Sequence, residues 1–187
     1  APLKAALLLV FWVWFSGGLH LVGLADTADA WVGGMGSVER TLAIMKDPAC
    51  GPIGVVSLLL VLLVKWAALV SLLETGAWLA LLLVPWVARG ALAGLLFSTP
   101  YVRPQGMGAQ LVEHMPRARL LQVLVLHAVL VLLFGGSGLL ALLVATLLTL
   151  FWRQRLRTRI GGTTGDTAGA LVEVLEAALV ALVVLPG

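Results

Sequence analysis

Six stretches of nearly unbroken apolar residues, at roughly 4–25, 54–73, 77–97, 119–134, 137–152 and 168–186, leave this chain few ways to fold. About 20 apolar residues cross the hydrocarbon core of a bilayer, and a water-soluble domain of 187 residues could not hide so much apolar surface. With 61% hydrophobic and only 11% charged residues, and a mean hydropathy of +1.08, the chain reads as an all-α, polytopic integral membrane bundle of about six transmembrane helices. The period-2 alternation of a membrane barrel is missing. The fourth and fifth segments are short for a crossing. Gly135, Gly136 and Gly138 between them mark either a tight turn or a break in one longer element, which leaves five or seven crossings as alternatives. No internal repeat or low-complexity linker divides the chain, so residues 1–187 read as one transmembrane catalytic domain.

Six crossings put the connections around 26–53, 98–118 and 153–167 on one side of the membrane. Arg40, Lys46, Arg103, Arg117, Arg119, Arg153, Arg155, Arg157 and Arg159 then gather there, and the bias of basic residues toward the cytoplasm makes that face cytoplasmic. Lys4 is the exception. The net charge of +3 follows from this topology and not from a nucleic-acid footprint, because no aromatic residues interleave with the arginines on a soluble surface. The one cysteine, Cys50, and the scattered His20, His114 and His127 argue against zinc. The chain opens on Ala1 without an initiator methionine and runs almost directly into an apolar stretch, as a fragment of a longer protein would.

Against this background the polar residues stand out. In GGLHLVGLADTADAW, Asp26 and Asp29 are three apart, so in a helix they share a face and could share a cation; capping is the alternative. In SVERTLAIMKDPACGPIG, Ser37 suits a helix cap, Arg40 and Asp47 share a face, and Pro48 stops the helix. An interfacial amphipathic helix explains its shape but not Asp47 beside Lys46. In RIGGTTGDTAGALVEVLE, glycines and threonines offer backbone amides to an anion, followed by Asp166, Glu173 and Glu176 along one helix. Carboxylates inside a membrane helix are costly and therefore candidates for function.

Lys65 and Arg89 fall inside apolar segments, where an unpaired cation costs about 2.5–3.5 kcal/mol or more. They either hold the phosphates of a charged substrate or pair with a carboxylate on a neighbouring helix. Arg103 in STPYVRPQGMG sits among prolines and glycines, which fix the backbone and leave the guanidinium able to grip phosphate. Hard oxygen ligands, cations and glycine turns at one membrane face suit phosphoryl transfer assisted by Mg²⁺, with Mn²⁺ as the substitute.

The motifs GGLHLVGLADTADAW, RTLAIMKDPACGPIGV, PYVRPQGMG and GGTTGDTAGALVEVLE occur in the order seen in the cobalamin synthase family, the adenosylcobinamide-GDP ribazoletransferases, and the chain resembles that family over almost its whole length. The resemblance implies an integral enzyme of the bacterial cytoplasmic membrane. Its reaction moves adenosylcobinamide phosphate from the GDP-activated form to the 5′ oxygen of α-ribazole or α-ribazole 5′-phosphate, releasing GMP. It also implies partnership with the enzymes that make the activated corrinoid, beside lipid and the two substrates. On that resemblance Asp26, Asp29 and Asp47 are expected to hold Mg²⁺. Asp166 and Glu173 are expected to bind metal or take the hydroxyl proton, and Arg40, Lys46, Lys65, Arg89 and Arg103 to hold the diphosphate.

Two departures qualify it. Val22 stands where the family pattern has an aspartate, one turn before Asp26; if that acid is a ligand, its loss weakens Mg²⁺ binding and impairs turnover. Family members also carry a further apolar helix ahead of the first motif. The rival readings are a CDP-alcohol-type phosphotransferase, whose alanine-arginine pair LVGLADTADAW lacks, a transporter using Lys65 and Arg89 for an anion, and a non-catalytic scaffold.

Overall fold

A computed structural model describes residues 1–106 and 108–184, and among these the chain forms helices α1 (Pro2–Phe15), α2 (Leu19–Gly33), α3 (Val38–Ile44), α4 (Pro52–Thr75), α5 (Leu79–Ser98), α6 (Ala109–Glu113), α7 (Arg117–Leu132), α8 (Gly135–Ile160) and α9 (Gly165–Val184). Four of them, α4, α5, α8 and α9, are long and apolar enough to cross a membrane, and α1 with α2 makes a fifth if the bent pair counts as one span. An all-helical bundle with about six crossings is thus approximately what forms. The segment expected over 119–134 is α7, whose 16 residues reach about 24 Å at 1.5 Å per residue, short of a bilayer core of about 30 Å. The expected end of the last helix, near residue 186, lies outside the described residues.

The first segment departs from expectation. A single helix over 4–25 is replaced by two, bent by 86° at Ser16–Gly18. Gly17 and Gly18 adopt φ of +65° and +68°, a left-handed backbone that only glycine takes without strain, and Gly17 and Gly18 return their amides to Trp14 and Val13. Polar segments expected as loops are instead helical: α2 continues through Asp26 and Asp29 to Gly33, and α8 runs through its four arginines to Ile160. Arginine is a good helix former, so polarity ended the apolar pattern without ending the helix. Between α7 and α8 the glycines make a turn. Gly135 has φ +64°, and Gly138 lies so close to the Val131 carbonyl that a side chain there would collide with it.

Helix α9 is the axis of the bundle, packed by α2, α4, α5 and α8 and buried along most of its length. The ends of α2, α5 and α8 and the starts of α4 and α9 meet at one end of the molecule. Arginines fasten it: Arg153 donates to the Ser98 carbonyl at the end of α5, and Arg159 donates to the Trp31 carbonyl near the end of α2 while covering the Trp31 ring. Cations on terminal carbonyls satisfy groups a helix leaves unpaired and complement its dipole.

Candidate active site

The α2–α9 crossing builds the site because small residues let the backbones touch. A methyl group at Gly23 would lie 2.6 Å from the Asp166 carbonyl oxygen, and one at Gly169 would lie 3.1 Å from the His20 Cα. Asp26, one turn beyond Gly23, is thereby brought to the start of α9, where Asp166, Arg103 and Asp29 all act on its carboxylate. Arg103 donates through Nη1 to Asp166 Oδ2 at 2.7 Å. Its Nε and Nη2 are buried with no hydrogen-bond partner among the described residues.

Two loops hold Arg103 against Asp166. Val102 donates its amide to the Thr163 carbonyl and Thr163 donates to the Pro100 carbonyl, at 2.9 and 2.8 Å, so the α5–α6 and α8–α9 connections pair like two short strands. Thr164 and Thr167 then cap α9 reciprocally, each hydroxyl accepting the other's amide, the arrangement of a capping box. Gly165 donates its amide to the Tyr101 hydroxyl. The amides of Thr163, Thr164, Gly165 and Thr167 are therefore used within the protein and do not face an anion as the glycine-threonine run suggested.

Asp29 has a different task. Its Oδ2 accepts the Gly51 amide at 2.7 Å and its Oδ1 the Gly54 amide at 2.8 Å, so one carboxylate caps α4 from across the bundle. Asp47 is exposed and accepts the Ala49 amide within its own turn. Arg40 and Lys46 are exposed around α3, which Ser37 caps as expected by accepting the Arg40 amide. At that helix start, the backbone amide of Glu39 and the Ser37 hydroxyl hold the Glu39 carboxylate below its usual range.

Lys65, Glu173, Glu176 and Arg89 form a second cluster deeper in the bundle. Lys65 Nζ donates to Glu173 and to Glu176, both at 2.6 Å, and Arg89 bonds the other oxygen of Glu176. Lys65 also lies 5.6 Å from the Trp12 ring centroid. Lys65, Glu173 and Glu176 are at most 3% exposed. Of the two readings of Lys65 and Arg89, the geometry realises ion pairing to a neighbouring helix.

Among the described residues, no three acid, histidine or cysteine side chains converge as a ready metal cage, so Asp26, Asp29 and Asp47 do not form one. A pair fits a divalent cation better: Asp26 accepts no hydrogen bond from the described residues and Asp166 keeps one oxygen clear of Arg103. Mg²⁺ is commonly held by one or two carboxylates with substrate phosphate and water supplying the rest. Residues the sequence did not single out complete the site. Tyr101, the only tyrosine, was legible only as part of a proline-rich loop, and Thr167 only as a polar residue one turn into a helix.

Comparison with known proteins places the chain in a family. The model of the cobalamin-5-phosphate synthase family matches residues 1–184. An adenosylcobinamide-GDP ribazoletransferase of Pseudomonas fluorescens strain Pf-5 is 59% identical over 178 residues, which cover 95% of this chain and 73% of that protein. Proteins of the same name from Ectopseudomonas mendocina and Pseudomonas paraeruginosa are 58% and 59% identical over 181 residues, covering 96% of this chain and 74% of each. No solved structure matches. The chain belongs to the cobalamin-5-phosphate synthase family.

Proposed function

We propose that this chain is an adenosylcobinamide-GDP ribazoletransferase, moving adenosylcobinamide phosphate from its GDP-activated form to the 5′ oxygen of α-ribazole or α-ribazole 5′-phosphate and releasing GMP. A new P–O bond forms to that oxygen, the bond from phosphorus to the bridging oxygen of the diphosphate breaks with its electron pair leaving on GMP, and the hydroxyl proton passes to a carboxylate.

Arg103 carries the reading. A guanidinium with two buried donors that have no hydrogen-bond partner among the described residues, fixed by an aspartate beside a second carboxylate, is a built receptor for a phosphate oxygen. Asp26 and Asp166 would hold Mg²⁺ or Mn²⁺ together with substrate phosphate, and the chemistry the ion supplies when bound is neutralisation of the diphosphate charge. One of these two carboxylates receives the proton. Glu173, engaged by Lys65, supports α9, and Arg40 and Lys46 on the exposed rim steer the anionic donor. The basic residues at this end support a site on the cytoplasmic face of the bacterial inner membrane. A transporter reading needs Lys65 and Arg89 available to solute, and both have carboxylate partners.

The test is GMP release from GDP-activated cobinamide and α-ribazole with Mg²⁺, in membranes carrying this chain or its Val22→Asp variant. Val22 is exposed on α2 one turn before Asp26, so an aspartate there would join the open carboxylates. Release from both chains, greater from the Val22→Asp variant, is the expected result. Equal release would remove position 22 from the ligand set, and silence from both folded, inserted proteins would overturn the assignment.

A further inference from the structure

A cavity of about 470 Å³ opens between α2, α4 and α8, walled by Trp31, Trp152 and Phe151. The mechanism above leaves it unused, yet two of its walls are tied to the two open carboxylates. Thr27 follows Asp26 on α2. Trp152 donates its indole N–H to the carbonyl of Thr167, next to Asp166, at 2.9 Å. Trp31 is held through its backbone carbonyl, which accepts from Arg159, and by the Arg159 guanidinium 5.5 Å from its ring centroid. Both indoles are therefore preorganised, with their flat surfaces maintained before any ligand arrives.

The polar lining is sparse: Thr27, Ser57 and Arg155, whose guanidinium lies 5.1 Å from the Phe151 ring centroid. Thr27 is 4% exposed and its hydroxyl has no hydrogen-bond partner among the described residues. A threonine inside a helix ordinarily returns its hydroxyl to a carbonyl of the preceding turn, so one that stays unbonded beside a cavity is a donor awaiting an acceptor. Among the described residues no carboxylate lines the space. Guanine, whose Watson–Crick edge carries N–H donors, would find no strong acceptor there. The volume suits a small planar ligand.

We infer that this cavity receives the apolar, bicyclic benzimidazole-type base of the acceptor nucleoside, stacked between the aromatic walls, with the Thr27 hydroxyl donating to its unsubstituted ring nitrogen. The inference rests on the transfer reaction proposed above. It gives Thr27 and the two tryptophans the task of orienting the acceptor so that its ribose hydroxyl points toward Asp26 and Asp166.

The test is equilibrium binding of α-ribazole and, separately, of GDP-activated cobinamide to the full chain in lipid nanodiscs, for the parent, Thr27→Val and Ala28→Phe. Ala28 lines the cavity, and a phenyl group there fills it. Thr27→Val should weaken α-ribazole binding about five- to tenfold, the scale of one lost hydrogen bond, with donor binding unchanged. Ala28→Phe should abolish α-ribazole binding and spare the donor, whose retention also reports folding. If both variants bind α-ribazole like the parent, or if filling the cavity expels the donor instead, the inference fails while the transferase reading stands. If Ala28→Phe loses both ligands, Thr27→Val decides. A folded parent that neither binds α-ribazole nor releases GMP overturns the functional reading and this inference together.

Discussion

The two charged clusters on α9 differ in how completely they are answered. In the interior, Lys65 meets Glu173 and Glu176, and Arg89 takes the remaining oxygen of Glu176, two cations for two anions. At the bundle end, among the described residues, Arg103 meets Asp166 but leaves two donors unbonded, and Asp26 accepts no bond. The closed cluster holds helices together, and the open one has capacity for a ligand. Charge inside a membrane protein is thus no sufficient mark of chemistry; unmet hydrogen-bonding capacity discriminates better.

Breaking the closed cluster gives the largest expected effect. Lys65→Ala strands the buried carboxylate of Glu173 and takes one of two cations from Glu176, and should cost about 3–5 kcal/mol, read as loss of folded protein on heating in detergent. Replacing Lys65 and Glu173 together by Met and Leu should recover much of that loss and, with it, GMP release. Recovery of folding without activity would move the interior cluster into the chemistry and erase the distinction. Next come Asp26→Asn and Asp166→Asn, each expected to lower GMP release by about 100-fold or more with thermal stability nearly unchanged. A large fall in stability without a specific kinetic loss would make the open cluster structural.

Asp29 lies between the two kinds. Asp29→Ala should destabilise by about 2 kcal/mol, because two charge-assisted bonds to the start of α4 disappear, and Asp29→Asn by roughly half as much. If the asparagine variant keeps its fold but loses Mg²⁺-dependent turnover, Asp29 belongs with the open group. Ser37→Ala sets the lower bound. It should cost about 1 kcal/mol of local stability and leave GMP release intact, since its hydroxyl serves only α3.

How much of this was legible in the sequence follows from the range of each interaction. Membrane class, helical architecture and the apolar spans follow from composition and run length, which are local. Ser37 as a cap was readable because cap and amide are three residues apart. The break at Ser16–Gly18 was not, because adjacent glycines in an apolar run are compatible with a continuous helix, a kink or a turn. Asp29 was readable as an acid with a purpose, but its partners Gly51 and Gly54 are 22 and 25 residues away. The pairing of Lys65 with Glu173 spans 108 residues, so sequence could offer ion pairing only as one of two alternatives.

Those separations bear on how the molecule is made. Synthesis proceeds from the N-terminus, so α4 and α5 emerge carrying Lys65 and Arg89 well before α9, the source of Glu173, Glu176 and Asp166. Until it arrives, each cation is an unanswered charge in an apolar segment, at a cost of about 2.5–3.5 kcal/mol on insertion scales. Late entry of α9 therefore answers both cations in one step. A chain interrupted before Gly165 leaves Lys65 and Arg89 without Glu173 and Glu176 and lacks Asp166, so the integrity of the bundle and the completeness of the candidate site depend on the same helix.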